Sequence, residues 1–335
     1  MNNDESPLVD AQKKFIEAIA FRSMADEPCA LPQAMGRVLH ADVICAMDSP
    51  PYPRAIAEGF AVNTVDTQAA SEQRPVTFTV AGEVKPGDTE CPQIKSLHGL
   101  RVSTGSLLTD APMSVVRMWD CTLGQGTFTI TRPFPPRFFI EERGCDIKQG
   151  DVLIAAGTIL TPMDLGNAAA QGLSELPVAR RPKVAVFSSG DEVIPHAEPM
   201  RPGAIRDSNS VMLSAAVTQA GGMPEFCGIM NDDLDHFIKE AGRALKHSDM
   251  LLISGGTAAG GTDFIADLVR TLGELLVDGV PMRSGKPLIM GISQGKPVVC
   301  VAGHPPEALR GFRLFGVAAI NQLLGRQAGI PEDTQ

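Results

Sequence analysis

Short apolar runs and amphipathic stretches alternate along the second half of the chain. Apolar-rich runs at 184–187, 226–230, 250–253, 276–280, 287–292 and 298–301 have the length of buried strands. Stretches of helical period stand among them, at 208–220, 234–245, 264–272 and 307–324. Strand alternating with helix predicts a parallel sheet covered by helices on both faces. In such sheets the ligand lies beyond the carboxyl ends of the strands, so the loops 188–192, 254–263 and 302–306 are expected to converge.

The first half follows another pattern. Residues 8–24 set apolar Phe15, Ile19 and Met24 among charges, which predicts an amphipathic helix. Pro50, Pro51 and Pro53 around Tyr52 make a rigid, non-helical entry to a new region. From Pro50 to Pro136 come short runs separated by turns, at 76–80, 100–103, 115–118 and 127–130, the pattern of a small β-rich domain. Strands at 152–155 and 159–160 and a helix at 165–172 follow among glycine turns, and Arg180-Arg181-Pro182 reads as a hinge.

The densest chemistry lies between Asp249 and Phe264, D-M-L-L-I-S-G-G-T-A-A-G-G-T-D-F, which reads as strand, glycine-rich loop and helix. Gly255, Gly256, Gly260 and Gly261 let backbone N–H groups approach an anion, and the helix dipole favours negative charge there. The same glycines would also serve a tight turn with no ligand. Asp263, at the loop–helix junction, suits a helix cap or a metal ligand. S-S-G-D-E-V sets Asp191 and Glu192 at a strand's carboxyl end, and two carboxylates beside phosphate-binding glycines suit Mg²⁺.

D-S-N at 207–209 precedes a helix and reads as its cap, at Ser208 or Asn209. Of Asp232 and Asp233, one is expected to cap the next helix and the other to reach the site. R-S-G-K-P puts Arg283 and Lys286 in one turn, where they could hold a phosphate or an oxyanion such as molybdate. His304 has no second histidine near it for a zinc site, and Ser188 and Ser189 lack triad partners by spacing.

Bulk properties narrow the classes. A net charge of −10 over 335 residues argues against a general nucleic-acid binder but not against a small anion held locally. The seven cysteines are dispersed, with no C-x-x-C, as expected of reduced thiols in a cytoplasmic protein. The N-terminus M-N-N-D-E-S-P has neither the basic flank nor the apolar core of a signal peptide, and no apolar run is of membrane-spanning length.

Taken in order, S-S-G-D-E-V, G-A-I-R-D-S-N, G-I-M-N-D-D, I-S-G-G-T-A-A-G-G-T-D-F, R-S-G-K-P and A-G-H-P-P-E-A-L resemble the motifs of the molybdopterin molybdotransferase family (MoeA, and the E domain of gephyrin). A-I-A-E-G-F-A-V at 55–62 and S-T-G-S at 103–106 are weaker matches. The resemblance implies an α/β architecture. Residues 181–326 would form a MoaB/Mog-like three-layer α/β molybdopterin-binding domain with a parallel-rich sheet. Residues 46–139 would form a β-rich lid domain, and 1–45 with 140–180 a discontinuous linking domain, leaving 327–335 as a tail. It also implies an elongated homodimer, and insertion of molybdate into adenylylated molybdopterin with release of AMP and help from Mg²⁺. A molybdoenzyme or an adenylyltransferase is the implied protein partner.

Carried over residue by residue, Glu192, Asp232 and Asp263 match the family's acidic, metal-binding positions, and Glu58 and Thr104 match catalytic positions. Ser189, Gly190, Ser254, Gly255, Gly256, Gly260, Arg283, Lys286 and Pro305 match its cofactor-binding positions. Several positions depart from the pattern. Glu58 stands for an aspartate, Glu141 for an arginine, Ala258 for a serine, Gly261 for an acid, Ser284 and Ala302 for prolines and His304 for an asparagine. Members carry a further small β domain at the C-terminus, whereas this sequence ends ten residues after Gly325, as in a divergent member without it. Three readings follow: a molybdenum (or tungsten) insertase, a carrier of molybdopterin or of the finished cofactor without transferase activity, and an interaction module that has lost the ligand.

Overall fold

Met250, Leu251, Leu252 and Ile253 are all fully buried, yet they cannot share one core, because successive side chains of a strand point to opposite faces. Met250 and Leu252 enter one apolar cluster and Leu251 and Ile253 another, so this strand lies in the middle of a three-layer unit. The computed structural model describes residues 7–19, 24–256, 262–280 and 288–326 and divides the chain into two compact units, 1–42 with 155–335, and 43–154.

The first unit begins with α1 (Pro7–Ala18) and β1 (Asp26–Ala30). The second unit contains β2 (Gly59–Asn63), β3 (Val76–Val84), β4 (His98–Val102), β5 (Met113–Arg117) and β6 (Thr127–Ile130). The first unit resumes with α2 (Pro162–Ala170), β7 (Glu175–Ala179), β8 (Lys183–Ser189), α3 (Asn209–Gln219), β9 (Met223–Met230), α4 (Leu234–Leu245), β10 (Met250–Gly255) and α5 (Thr262–Leu272). Then come β11 (Glu274–Asp278), β12 (Ile289–Ser293), β13 (Lys296–Val301), α6 (Pro305–Gly311), a π-turn (Phe312–Gly316) and α7 (Val317–Leu323).

The large sheet has the order β9-β8-β10-β13-β12-β11. Its first four strands are parallel, as the alternation of the sequence implies, but β12 runs antiparallel to both of its neighbours, β13 and β11. The reason is local. Gln294 and Gly295 both have positive φ, at 52° and 75°, which is the two-residue turn that folds β12 back on β13 as a hairpin. One face of the sheet packs against α1, α3, α6 and α7, and the other against α4 and α5.

The segment read as a hinge is anchored instead. Arg180 makes two hydrogen bonds to the Asp249 carboxylate, which also accepts from the Lys183 backbone N–H, and the division between units lies at 42/43 and 154/155. β1 pairs with β7, joining the two parts of the chain expected in the linking domain.

In the second unit a six-stranded sheet runs β5-β2-β4-β3-β6, with Thr122–Leu123 at its edge. β2, which the sequence pattern did not register as a strand, is paired on both sides by β4 and β5. A Cβ on Gly59 would lie 2.0 Å from the Val116 carbonyl oxygen, so only glycine fits there. Phe60 and Phe78 stack on either side of Phe128, at centroid distances of 4.1 and 5.1 Å.

Phe15 is fully buried and meets Phe315 edge to face at 6.1 Å, tying α1 to the end of the chain. Phe15→Ala is expected to cost about 3–5 kcal/mol in urea unfolding, the usual loss for a buried phenylalanine. A cost under about 1 kcal/mol would show that α1 is not part of this core.

Candidate functional site

The parallel register brings the carboxyl ends of β8, β10 and β13 side by side: Ser188 lies opposite Ser254, Ser189 opposite Gly255, and Ser254 opposite Val301. The backbone leaves no room for a side chain at Gly255. A Cβ on Gly255, where φ is +96°, would lie 2.4 Å from the Ser189 carbonyl oxygen, and one on Gly303 would lie 3.5 Å from Gly255 Cα. Asn209 Nδ2 then donates 2.8 Å to the Gly303 carbonyl, drawing the start of α3 to the same edge. The three loops expected to converge do so as far as residues 188–192, 254–256 and 302–306 are concerned.

Ser189 and Ser254 are buried and Gly190 has φ of +139°. Gly256, also at positive φ, lies with its α-carbon facing Ile265 and the Ser189 hydroxyl. Pro305 opens α6, and the His304 carbonyl accepts the N–H of Glu307 and Ala308. Gly260, Gly261, Ala258, Arg283, Ser284 and Lys286 lie outside the described residues, as does the side chain of Asp263, whose backbone is in the first turn of α5.

Ser208 is the N-cap residue of α3, as the sequence reading has it, but the side-chain bond at this helix start comes from Asp207. Ser208 makes no side-chain cap bond; the Asp207 carboxylate accepts the Ser210 N–H at 3.0 Å and the Ser188 hydroxyl at 2.9 Å. Asn209 is 8% exposed and turned inward. D-S-N fits a cap at any of its three positions by residue type, and only the packing against Ser188 and Gly303 separates them.

Asp233 caps α4 by accepting the His236 N–H, which leaves Asp232 to face the loop after β8. The Asp232 N–H donates to Asp191 Oδ1 at 3.2 Å. Glu192 curls over Gly190. The Asp232 carboxyl is raised above the ordinary aspartate range, first by desolvation and then by the negative charges of Asp191 and Glu192. A cavity of about 480 Å³ adjoins these acids, with Gly190 and Asp191 on one wall and Phe226, Gly228, Ile229 and Asn231 on the other.

Glu58 and Thr104 belong to the second unit, described here on its own. Both are exposed: Glu58 immediately precedes β2, and Thr104 lies in the turn after β4 beside Gly105, whose N–H bonds to Ala55. Glu141 pairs with Arg54, its cross-strand neighbour, so the acid at this position has a cation beside it. Among the described residues, Glu141, Cys145 and Asp146 form a group of three with ligand atoms within 4.8 Å of one another. Desolvation and the charges of Asp146 and Glu141 push the Cys145 thiol up, so it stays protonated at neutral pH. Among those residues no helix is long and apolar enough to cross a membrane.

Comparison with known proteins agrees with this architecture over both units. Residues 7–172 match the family model described as MoeA N-terminal region (domain I and II), and 185–322 match the one described as probable molybdopterin binding domain. Molybdopterin molybdenumtransferase 2 of Mycobacterium tuberculosis is 31% identical over 322 residues, covering 94% of this chain and 78% of that protein. The molybdopterin molybdenumtransferase of Staphylococcus epidermidis is 27% identical over 303 residues, with 90% and 72% covered. The crystal structure of molybdopterin biosynthesis MoeA protein from Pyrococcus horikoshii superposes with a TM-score of 0.84 at 28% identity, covering 96% of this chain and 80% of that one. With both halves matched in order and a relative above 30% identity over 94% of this chain, the chain belongs to the MoeA family of molybdopterin molybdenumtransferases.

Proposed function

We propose that this member of a molybdenum-cofactor biosynthesis family inserts molybdate into adenylylated molybdopterin with release of AMP. The observation that carries the reading is the meeting of two opposite preferences at one sheet edge. Gly255 and Gly256 leave the backbone after β10 without side chains, open to close approach by an anion, while beside the same edge the charges of Asp191 and Glu192 bear on the Asp232 carboxylate. A phosphoanhydride with a divalent cation satisfies both.

The donor set fits Mg²⁺, a hard cation that takes carboxylate oxygens, keeps several waters and shares phosphates, so it needs no closed protein cage. Glu192 and Asp232, with Asp263, are the residues that would hold it. Bound there, Mg²⁺ supplies charge neutralisation at the phosphate oxygens. The chain's own contribution is placement: Gly255 and Gly256 allow the close approach, Ser189 and Ser254 line the strand ends, and Pro305 stiffens the third loop. Arg283 and Lys286 are proposed to hold the anion, and Glu58 and Thr104 keep the roles that the family pattern implies. A cytoplasmic homodimer belongs to the same proposal. The carrier reading is favoured by one observation, the acid at 141 already paired with Arg54, which leaves an arginine of the family pattern unreplaced at that position.

The direct test mixes purified protein with adenylylated molybdopterin, molybdate and Mg²⁺. Molybdate-dependent AMP release is expected, and tight binding without AMP would make the protein a carrier. Asp263→Asn is expected to abolish turnover while sparing substrate binding; equal loss of both would remove Asp263 from the metal set.

Asp232 gives a second check. Its folded-state pKa lies above the unfolded value, so its contribution to stability is full below 3.8 and is lost as pH rises through the raised pKa. Asp232→Asn should therefore raise the thermal midpoint at pH 7 in the absence of Mg²⁺, make little difference at pH 3, and weaken Mg²⁺ binding. A lower midpoint at pH 7 would mean that the carboxylate is a structural acceptor and not a repelled ligand.

A further inference from the structure

Four buried side-chain polar atoms among the described residues have no hydrogen-bond partner, and three of them are Ser189 Oγ, Asp207 Oδ2 and Asn209 Oδ1. Their residues are only 4%, 4% and 8% exposed. An orphaned buried acceptor carries its full desolvation cost, so three within one stretch of strand end and helix start mark a place kept for something else.

The neighbouring bonds fix which atoms face outward from the protein's own network. Asp207 spends Oδ1 on the Ser188 hydroxyl and the Ser210 N–H, leaving Oδ2. Asn209 spends its amide N–H on the Gly303 carbonyl, leaving Oδ1. Both remaining atoms are acceptors and cannot donate. Ser189 Oγ lies instead beside Gly256, on the side of the glycine loop, and can donate. The sheet edge thus has two polarities: a donor side at Ser189 and Gly256, and an acceptor side at Asp207 and Asn209.

We infer that Asp207 and Asn209 are specificity-determining residues that accept the N–H donors of the substrate's heterocycle, the 2-amino-4-oxopyrimidine edge of a pterin, while Ser189 and Gly256 take the phosphate end. The inference rests on the molybdopterin reading above and assigns residues to the two ends of that substrate. An exocyclic amino group and a ring N–H supply one donor for each acceptor, and an anionic group would be repelled by Asp207. A site built from committed acceptors rejects an analogue that lacks the donor far more strongly than an apolar pocket rejects a missing methylene. Because these atoms are shielded, the ligand reaches them by displacing whatever covers them, in surroundings where a hydrogen bond is stronger than in water.

The test measures binding of free pterin and of lumazine, in which a carbonyl replaces the 2-amino group, by quenching of their own fluorescence. The wild type is expected to prefer pterin about tenfold or more. Asp207→Asn keeps an oxygen for Ser188 and Ser210 but turns Oδ2 into a donor, and should erase that preference. Ser189→Ala removes an unpartnered hydroxyl; it should leave the thermal midpoint unchanged or higher and leave the pterin preference intact, while raising the KM of the adenylylated substrate more than it lowers kcat. Equal affinity of the wild type for pterin and lumazine, or an unchanged preference in folded Asp207→Asn, overturns the inference. The wild-type comparison needs no variant, so a poorly folded Asp207→Asn does not spoil it. AMP release without pterin preference would sink the assignment and leave the insertase reading standing; pterin preference without AMP release would do the reverse.

Discussion

The structure of the α/β unit depends on how closely three backbones approach at the carboxyl ends of β8, β10 and β13. A side chain on Gly255 would collide with the Ser189 carbonyl, and Gly303 packs against Gly255 in van der Waals contact. That approach is possible only because the strands are parallel and in register, and because glycine tolerates the positive φ required after β10. The consequence is a sheet edge with bare backbone, onto which the starts of α3, α5 and α6 are drawn. Helix starts present unpaired N–H groups, so the geometry that closes the sheet is also the geometry that attracts an anion.

The acids work against the fold and for the site. Desolvation and the charges of Asp191 and Glu192 raise the energy of ionised Asp232, and Asp207 buries an oxygen without a partner. Each is a local conflict with the rules that the rest of the unit obeys, where both faces of the sheet are covered by continuous apolar clusters. Conflicts of this kind concentrate where a ligand resolves them, and here they share a strand end with the glycines.

Elsewhere the charges are satisfied within the protein. Arg180 and Asp249 lock the entry of β8 to that of β10, and Arg54 answers Glu141 across a strand pair in the second unit. The substitution of an acid at 141 is therefore compatible with a well-formed neighbourhood. Its meaning for chemistry is a question of ligand binding and not of folding.

What the sequence determined by itself was the alternation of elements, and with it the parallel core of the sheet, because a strand buried on both faces must be apolar at every position, and 250–253 is. It also pointed to the windows around Ser189, Glu192, Asp232 and Gly255, which the structure brings to one end of the sheet, since a strand-to-helix turn carries its chemistry in a short window of residues. It was silent on the reversal at β12, whose signal was only Gln294-Gly295, and on β2, whose residues read as a motif instead of a strand. Only the tertiary structure decided which of Asp207, Ser208 and Asn209 caps α3, which of Asp232 and Asp233 is left over, and where Asn209 points. Those outcomes depend on partners such as Ser188 and Gly303, nineteen and ninety-four residues away in sequence, and no local propensity contains them.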